Sequence, residues 1–273
     1  MRPVLPGDLA SAEEILDRDP VAHCFVASRV DIAGADPWRL GGDLLGYFPD
    51  GTLTSMVFVG ANLVPVATTS AARSAFADRL RSARRCSSLL GPAEEVLDLW
   101  RLLDASWGPA REVRAHQDLL VIDGPALVAA DGRVRPATID ELEILMPACV
   151  AMFTEEVGVS PLAGGNAGGY RARVAELIRA DRALVWIEDD EVVFKAEIGV
   201  VSPRATQVQG VWIAPQWRGR GLAAPAMAAV IEHTRRRFGP VVSLYVNDFN
   251  VPARKAYATV GMRSIGTFAT VLL

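Results

Sequence analysis

The stretch Pro215-Gln-Trp-Arg-Gly-Arg-Gly-Leu-Ala-Ala224 decides how this chain is read. Two glycines alternate with two arginines. A short apolar strand, "ATQVQGVWIAP", ends at the turn, and "GLAAPAMAAVIEHTRRRF" begins a helix, with Met227, Val230, Ile231, Thr234 and Phe238 on one face and Gly239-Pro240 as its stop. The first N–H groups of a helix have no partner within it, and the helix dipole is positive there. Glycines let backbone come close to a ligand, and Arg218 and Arg220 add charge, so the turn has the makings of a phosphate cradle. No Gly-Lys-Ser/Thr follows, which excludes a Walker A loop. Gly219, Gly221 and Ala224 satisfy the alanine variant of the dinucleotide fingerprint, but no acidic residue stands at the required distance in a suitable strand.

Outward from this turn, "VVSLYVN" reads as a buried strand and "NVPARKAYATVG" as a helix capped by Asn250 and stopped by Gly261. "RSIGTFATVLL" is a last strand. Upstream, "RALVWIED" and "VVFKAEIGVVS" are strands around the turn Asp189-Asp190-Glu191. "SPLAGGNAGGYRARV" is a glycine-rich connection suited to a lid. Asp123-Gly124-Pro125 and Asp131-Gly132 mark a seam near residue 130. After it, "RVRPATIDELEILMPA" runs from an Arg-Pro extended piece into a capped helix, the outline also seen in "RPVLPGDLASAEEIL". This suggests two copies of one plan, 1–130 and 131–273. In the first copy a helix is expected over Leu9–Asp17, strands at "LLGYFPDG" and "LTSMVFVGANLVPV" and a helix at "SAARSAFADRLRSA". A strand at "RCSSLLGP", a helix at "AEEVLDLWRLLDASW" and a strand at "DLLVID" follow. Strands interleaved with helices give an α/β (α+β) class.

The whole chain excludes several functions. A net charge of −4 over 273 residues offers no concentrated basic surface for nucleic acid. Cys24, Cys86 and Cys149 form no pair or metal spacing, and His23, His116 and His233 lie far apart, so no metal site is expected. No apolar run approaches the roughly 20 residues of a membrane span, and the acidic, proline-broken start is unlike a signal peptide. A cytoplasmic protein without membrane or nucleic-acid partners is the expectation, with oligomeric state open.

The paired motifs "VWIAPQWRGRGLAA" and "SLYVNDFNVPARKAYATVGM" resemble the GNAT acetyltransferase superfamily over roughly the half after residue 133. The resemblance implies two GNAT-like domains, each a mixed, mostly antiparallel sheet flanked by helices, the first degenerate and without a cofactor site. It implies acetyl-CoA held by the backbone of Val211, Trp212 and Ile213, by the turn Gln216, Trp217, Arg218, Gly219, Arg220, Gly221, Leu222 and Ala223, and by Asn250 and Ala253. It implies direct attack of an amine on the thioester, with Tyr257 as the acid for the departing thiolate. A base glutamate of the family falls by count near Gln207, which cannot take a proton usefully. Glu197 is then the nearest carboxylate, with water or the Leu273 carboxylate as alternatives. Glu155 and Glu156 lie where the family shapes acceptor specificity. The acceptor is an amine on a small molecule or a protein. The rival reading is an acyl-CoA sensor that has lost its chemistry; a nicotinamide or flavin oxidoreductase is a third.

Overall fold

The computed structural model describes residues 1–82, 84 and 86–273. In chain order the first half comprises β1 (Arg2–Pro3), α1 (Leu9–Leu16), α2 (Cys24–Ala33), α3 (Pro37–Leu40), β2 (Gly42–Tyr47), β3 (Ser55–Gly60), β4 (Asn62–Val66), α4 (Ser70–Leu80), β5 (Ser88–Pro92), α5 (Ala93–Trp107) and β6 (Glu112–Ile122). The second comprises β7 (Arg135–Pro136), α6 (Leu142–Val157), α7 (Ala167–Arg179), β8 (Ala183–Glu188), β9 (Glu191–Val201), β10 (Thr206–Ile213), α8 (Ala223–Arg237), β11 (Val242–Asn247), α9 (Val251–Val260) and β12 (Arg263–Leu272). Apart from α3 the two orders are the same.

The repeat extends to atoms. Arg2 grips Asp8 with two guanidinium nitrogens at 2.6 and 2.9 Å, and Asp8 accepts from the Leu5 N–H at 2.8 Å. Arg135 grips Glu141 at 2.9 and 2.6 Å, and Glu141 accepts from the Thr138 N–H at 2.8 Å. Each carboxylate satisfies an orphan donor at a helix entry and pins it to the preceding extended piece. The arginine hydrogen bond, followed by the backbone N–H at Asp8, holds that carboxyl at about 2. At Glu141 the arginine likewise outweighs partial burial and holds it at about 2.

One sheet spans both halves, in the order β1-β2-β3-β4-β5-β12-β6-β11-β10-β9-β8-β7. It is antiparallel except at β4–β5 and β10–β11. The halves exchange their last strands. β6 lies between β11 and β12, pairing with β11 from Gln117 to Ile122, while β12 reaches across to pair Phe268–Leu272 with β5. Two separate sheets were expected from the sequence; the exchange joins them edge to edge, which leaves fewer open edges to protect. A mixed core of Val21, Ala22 and Cys24 with Leu119, Val121, Val200, Ala205 and Phe268 closes the seam.

Several expectations need correction. "LTSMVFVGANLVPV" is two antiparallel strands, because the chain reverses between Gly60 and Asn62 and pairs Val59 with Leu63. The chain between Asp17 and Gly42, not assigned from sequence, carries α2 and α3. The glycine-rich connection is helical from Ala167, anchored by buried Tyr170, whose hydroxyl donates to the Cys149 carbonyl at 3.0 Å. The expected end of the α4 helix at Ala83 and the expected strand start at Arg85 lie outside the described residues. Elsewhere α5, β8 to β12, α8 and α9 follow the sequence reading within a residue or two.

Candidate active site

The parallel strands β10 and β11 touch only where Thr206 meets Val242 and Gln207 meets Ser243. Beyond that they part, leaving the far end of β10 unpaired on that side. The divergence is built into β10. Between Gln209 and Trp212 two residues, Gly210 and Val211, oppose one on β9, and Gly210 sits at φ +58°. Such a bulge bends a strand and increases its twist. A side chain at Gly210 would also meet Met152, Lys195 and Glu197, each within 3.0–3.2 Å of its Cβ.

At the end of β10 the chain turns through Pro215–Leu222 into α8. Gly219 and Gly221 both stand at φ +75°, a region glycine enters without strain, with nothing within 4 Å of where a Cβ would project. Among the described residues, the N–H groups of 219–222 reach no backbone carbonyl. Unused donors, open approach and a helix start together fit an anionic diphosphate.

The two arginines differ. Arg220 stacks on Trp217, its guanidinium carbon 4.8 Å from the ring centroid, and donates to the Gln216 carbonyl. Arg218 donates to the Ile213 carbonyl at 2.9 Å and to Glu155 at 2.8 Å, and Trp212 donates its indole N–H to the same glutamate. Glu155 therefore ties α6 to the cradle. The Gln216 side chain turns away to Glu191. Val211, Ile213, Leu222 and Ala253, each partly buried, pack against the core of the second half. Asn250 caps α9, accepting from the Ala253 N–H at 3.3 Å.

Tyr257, on α9, is 7% exposed. Burial, and then the negative charge of Glu156, push its phenol well above the ordinary range, so it stays protonated. Glu197 is brought beside Gly210 but is fully occupied: Lys195 donates to it at 2.7 Å and Gln209 at 3.3 Å. Burial pushes its carboxyl up, the Lys195 charge and the two hydrogen bonds outweigh this, and it ends below its ordinary range. A buried, paired carboxylate with a lowered proton affinity is poorly suited to act as a base. Gln207 is buried at the parallel contact. Leu273 packs in the first half's core, its N–H donating to the Ser87 carbonyl, which removes it from the cleft.

Two residues not singled out from sequence also converge here, Arg114 and Gln117 from β6, against Asn247 of the second motif at the end of β11. Asn247 donates to Glu156 at 3.1 Å and accepts from Gln117 at 2.8 Å, while Arg114 donates to Glu156 at 2.6 Å. Their signal was the polar alternation in "REVRAHQD", which reads as an ordinary exposed strand end until the exchange is known. Among the described residues no cluster of His, Cys, Asp and Glu has the makings of a metal site, and no helix is long and apolar enough to cross a membrane.

Comparison with known proteins places this geometry. Residues 156–262 match the acetyltransferase (GNAT) family, and residues 42–145 match a domain of unknown function, DUF4081. Solved structures share the fold across nearly the whole chain. A Drosophila protein has a TM-score of 0.69 at 11% identity, covering 100% of this chain and 98% of its own. A GCN5-related N-acetyltransferase from Sphaerobacter thermophilus has 0.58 at 18%, covering 99% and 93%. A GNAT-family acetyltransferase from Colwellia psychrerythraea has 0.56 at 14%, covering 95% and 96%. No curated protein matches the chain in sequence. Residues 156–262 thus form a GNAT-type acetyltransferase domain, and the whole chain shares the fold of these solved structures.

Proposed function

We propose that the protein is an acetyl-CoA-dependent N-acetyltransferase that moves the acetyl group by direct attack of an amine on the thioester. The observation that carries this is the parting of β10 and β11 with unused donors at one end and a buried, protonated phenol on the flanking helix. As the substrate acetyl-CoA binds, the turn from Arg218 to Ala223 receives its pyrophosphate, and the backbone of Val211 to Ile213 receives its pantetheine arm. Because Arg218 holds the Ile213 carbonyl, the arm displaces that contact on entering.

Catalysis then needs two reactants held together, a neutral amine and a stabilised leaving thiolate. The amine nitrogen forms a bond to the acetyl carbon and the C–S bond breaks. Tyr257 gives the thiolate a hydrogen bond or a proton. This interaction strengthens as sulfur becomes charged, so it lowers the barrier rather than tightening substrate binding. The proton set free from the acceptor nitrogen leaves to water at the open side of the cleft.

Free-thiol release with a panel of primary amines tests the reading, alongside calorimetric titration with acetyl-CoA. Turnover with at least one amine is expected. Tyr257→Phe lowers kcat by about 100-fold with acetyl-CoA affinity unchanged. Binding of acetyl-CoA without thiol release for any amine would make the protein a sensor instead.

A further inference from the structure

One carboxylate in the cleft has no structural duty on half of its surface. Glu156, in the last turn of α6, accepts from Arg114 and Asn247 with the same oxygen, Oε1. Among the described residues its Oε2 has no hydrogen-bond partner, and the side chain is 49% exposed. The other carboxylates near the cleft are committed: Glu197 to Lys195 and Gln209, Glu155 to Arg218 and Trp212. Glu155 is bonded by Trp212 on β10 and Glu156 by Asn247 at the end of β11, so the end of α6 lies across the two parting strands.

The supports of Glu156 come across the seam. Arg114, on β6, is 10% exposed in its side chain. It is held by a two-point contact with Glu112 at 2.8 and 3.1 Å, and it grips both the carboxylate and the main-chain carbonyl of Glu156, at 2.6 and 2.5 Å. A planar fork fixed at one end and bonded at the other sets direction as well as charge. Asn247 is oriented in turn by Gln117, also on β6, which accepts from Thr270 at 2.7 Å.

We infer that Glu156 Oε2 is the ligand for the ammonium group of a cationic primary amine, and that Arg114, delivered by the exchanged strand, is the positioning residue that aims it. This rests on the acetyltransferase reading above and adds the acceptor class to it. The acceptor docks as R–NH3+ against the carboxylate. It sheds one proton to water, attacks as R–NH2, and loses a second proton as the amide forms; the departing thiolate regains one. One proton is released per turnover.

The test compares an active primary alkylamine from the panel with its β-trifluoromethyl analogue, which carries little charge at neutral pH. Glu156→Gln keeps the shape and the hydrogen-bonding oxygen while removing the charge. It is expected to raise KM for the cationic amine by about tenfold or more, the size of a lost charge-assisted hydrogen bond. KM for the fluorinated amine is expected to change less than twofold. Arg114→Ala reproduces the selective rise, and Arg114→Lys restores little of it, because a point charge lacks the fork. Glu156→Asp, charged but shorter, gives an intermediate value and serves if the Gln variant folds poorly. An unchanged KM for the cationic amine, or an equal loss with both amines, overturns the inference. Absence of turnover by the wild-type chain with every amine overturns the acetyltransferase reading instead.

Discussion

The two halves meet the same structural problem and solve it in opposite ways. In each, two parallel strands touch at two residue pairs and then part: Asn62 with Ser88 and Leu63 with Leu89 in the first half, Thr206 with Val242 and Gln207 with Ser243 in the second. In each, the strand leads to a helix whose first N–H groups need partners. The second half leaves them free, in a glycine turn eight residues long from Pro215 to Leu222. The first half turns through only Ala67, Thr68 and Thr69 and fills the position from within. Glu95, on α5, accepts from both the N–H and the hydroxyl of Thr68, at 2.8 and 2.6 Å. Thr69 caps α4, and buried Arg73 ties the Thr68 carbonyl to Asp98. Pro65 lies 3.7 Å from where a Cβ on Gly91 would stand, closing the parting strands with packed carbon. An internal carboxylate thus sits where the other half presents an open cradle. A helix entry needs an anion or an acceptor, and the chain or a ligand can supply it.

The walls of the two openings differ in the same sense. Counted along the pairings, Glu197 opposite Gln209 corresponds to Val57 opposite Pro65. The first half packs carbon there; the second buries an ion pair beside the Gly210 bulge.

The strongest challenge to treating the halves as comparable units is to separate them. Residues 133–273 lack β6, the strand between β11 and β12, and are expected to show no cooperative thermal transition. A piece starting at residue 110 regains the transition and acetyl-CoA binding. A cooperative melt from residues 133–273 alone would show that the exchanged strand is dispensable.

Next in size is the ion pair. Lys195→Met leaves Glu197 buried and unpaired and is expected to cost about 3–5 kcal/mol. Lys195→Met with Glu197→Leu makes this wall resemble the first half and restores most of the stability, read by denaturant titration. If the single and double variants were equally unstable, the pair would not be coupled as the geometry demands.

The two helix entries can then be set against each other. Gly221→Val strains φ +75° and blocks the cradle, so acetyl-CoA affinity is expected to fall at least tenfold, about 1.5–3 kcal/mol, with the fold intact. Glu95→Gln weakens the internal plug and is expected to cost about 1–2 kcal/mol of stability while leaving acetyl-CoA affinity unchanged. Calorimetry and thermal melts on both variants read the contrast directly. A loss of acetyl-CoA binding in Glu95→Gln would overturn the assignment of the first half as filled.

The smallest effect concerns the symmetric Arg2–Asp8 and Arg135–Glu141 pairs. Both carboxyls are depressed, to about 2. Their stabilisation is therefore present above the unfolded carboxyl value of about 4 and lost as pH falls from there toward 2. Asp8→Asn and Glu141→Gln should each lower the melting temperature modestly at pH 7 and change it little near pH 2, which flattens the acid limb of melting temperature against pH. An unchanged acid limb in either variant would show that pair to be spent on solvent.

Much of this was legible in the order of residues. Gly219 and Gly221 beside two arginines, the register of Tyr257 after Asn250, and the repeated Arg-Pro starts are local features. Short-range rules of helix entry, φ preference and capping act on neighbours in sequence, so they can be read there. What the tertiary structure alone decided was which half each end strand completes. Strand exchange depends on edge pairing between segments more than 100 residues apart, and β6 reads identically whether it closes its own half or the other. That choice carries Arg114 to Glu156 and Gln117 to Asn247, and takes Leu273 away from the cleft. Hydrogen-bond partners across a sheet are set by register between distant strands, and no local pattern encodes them.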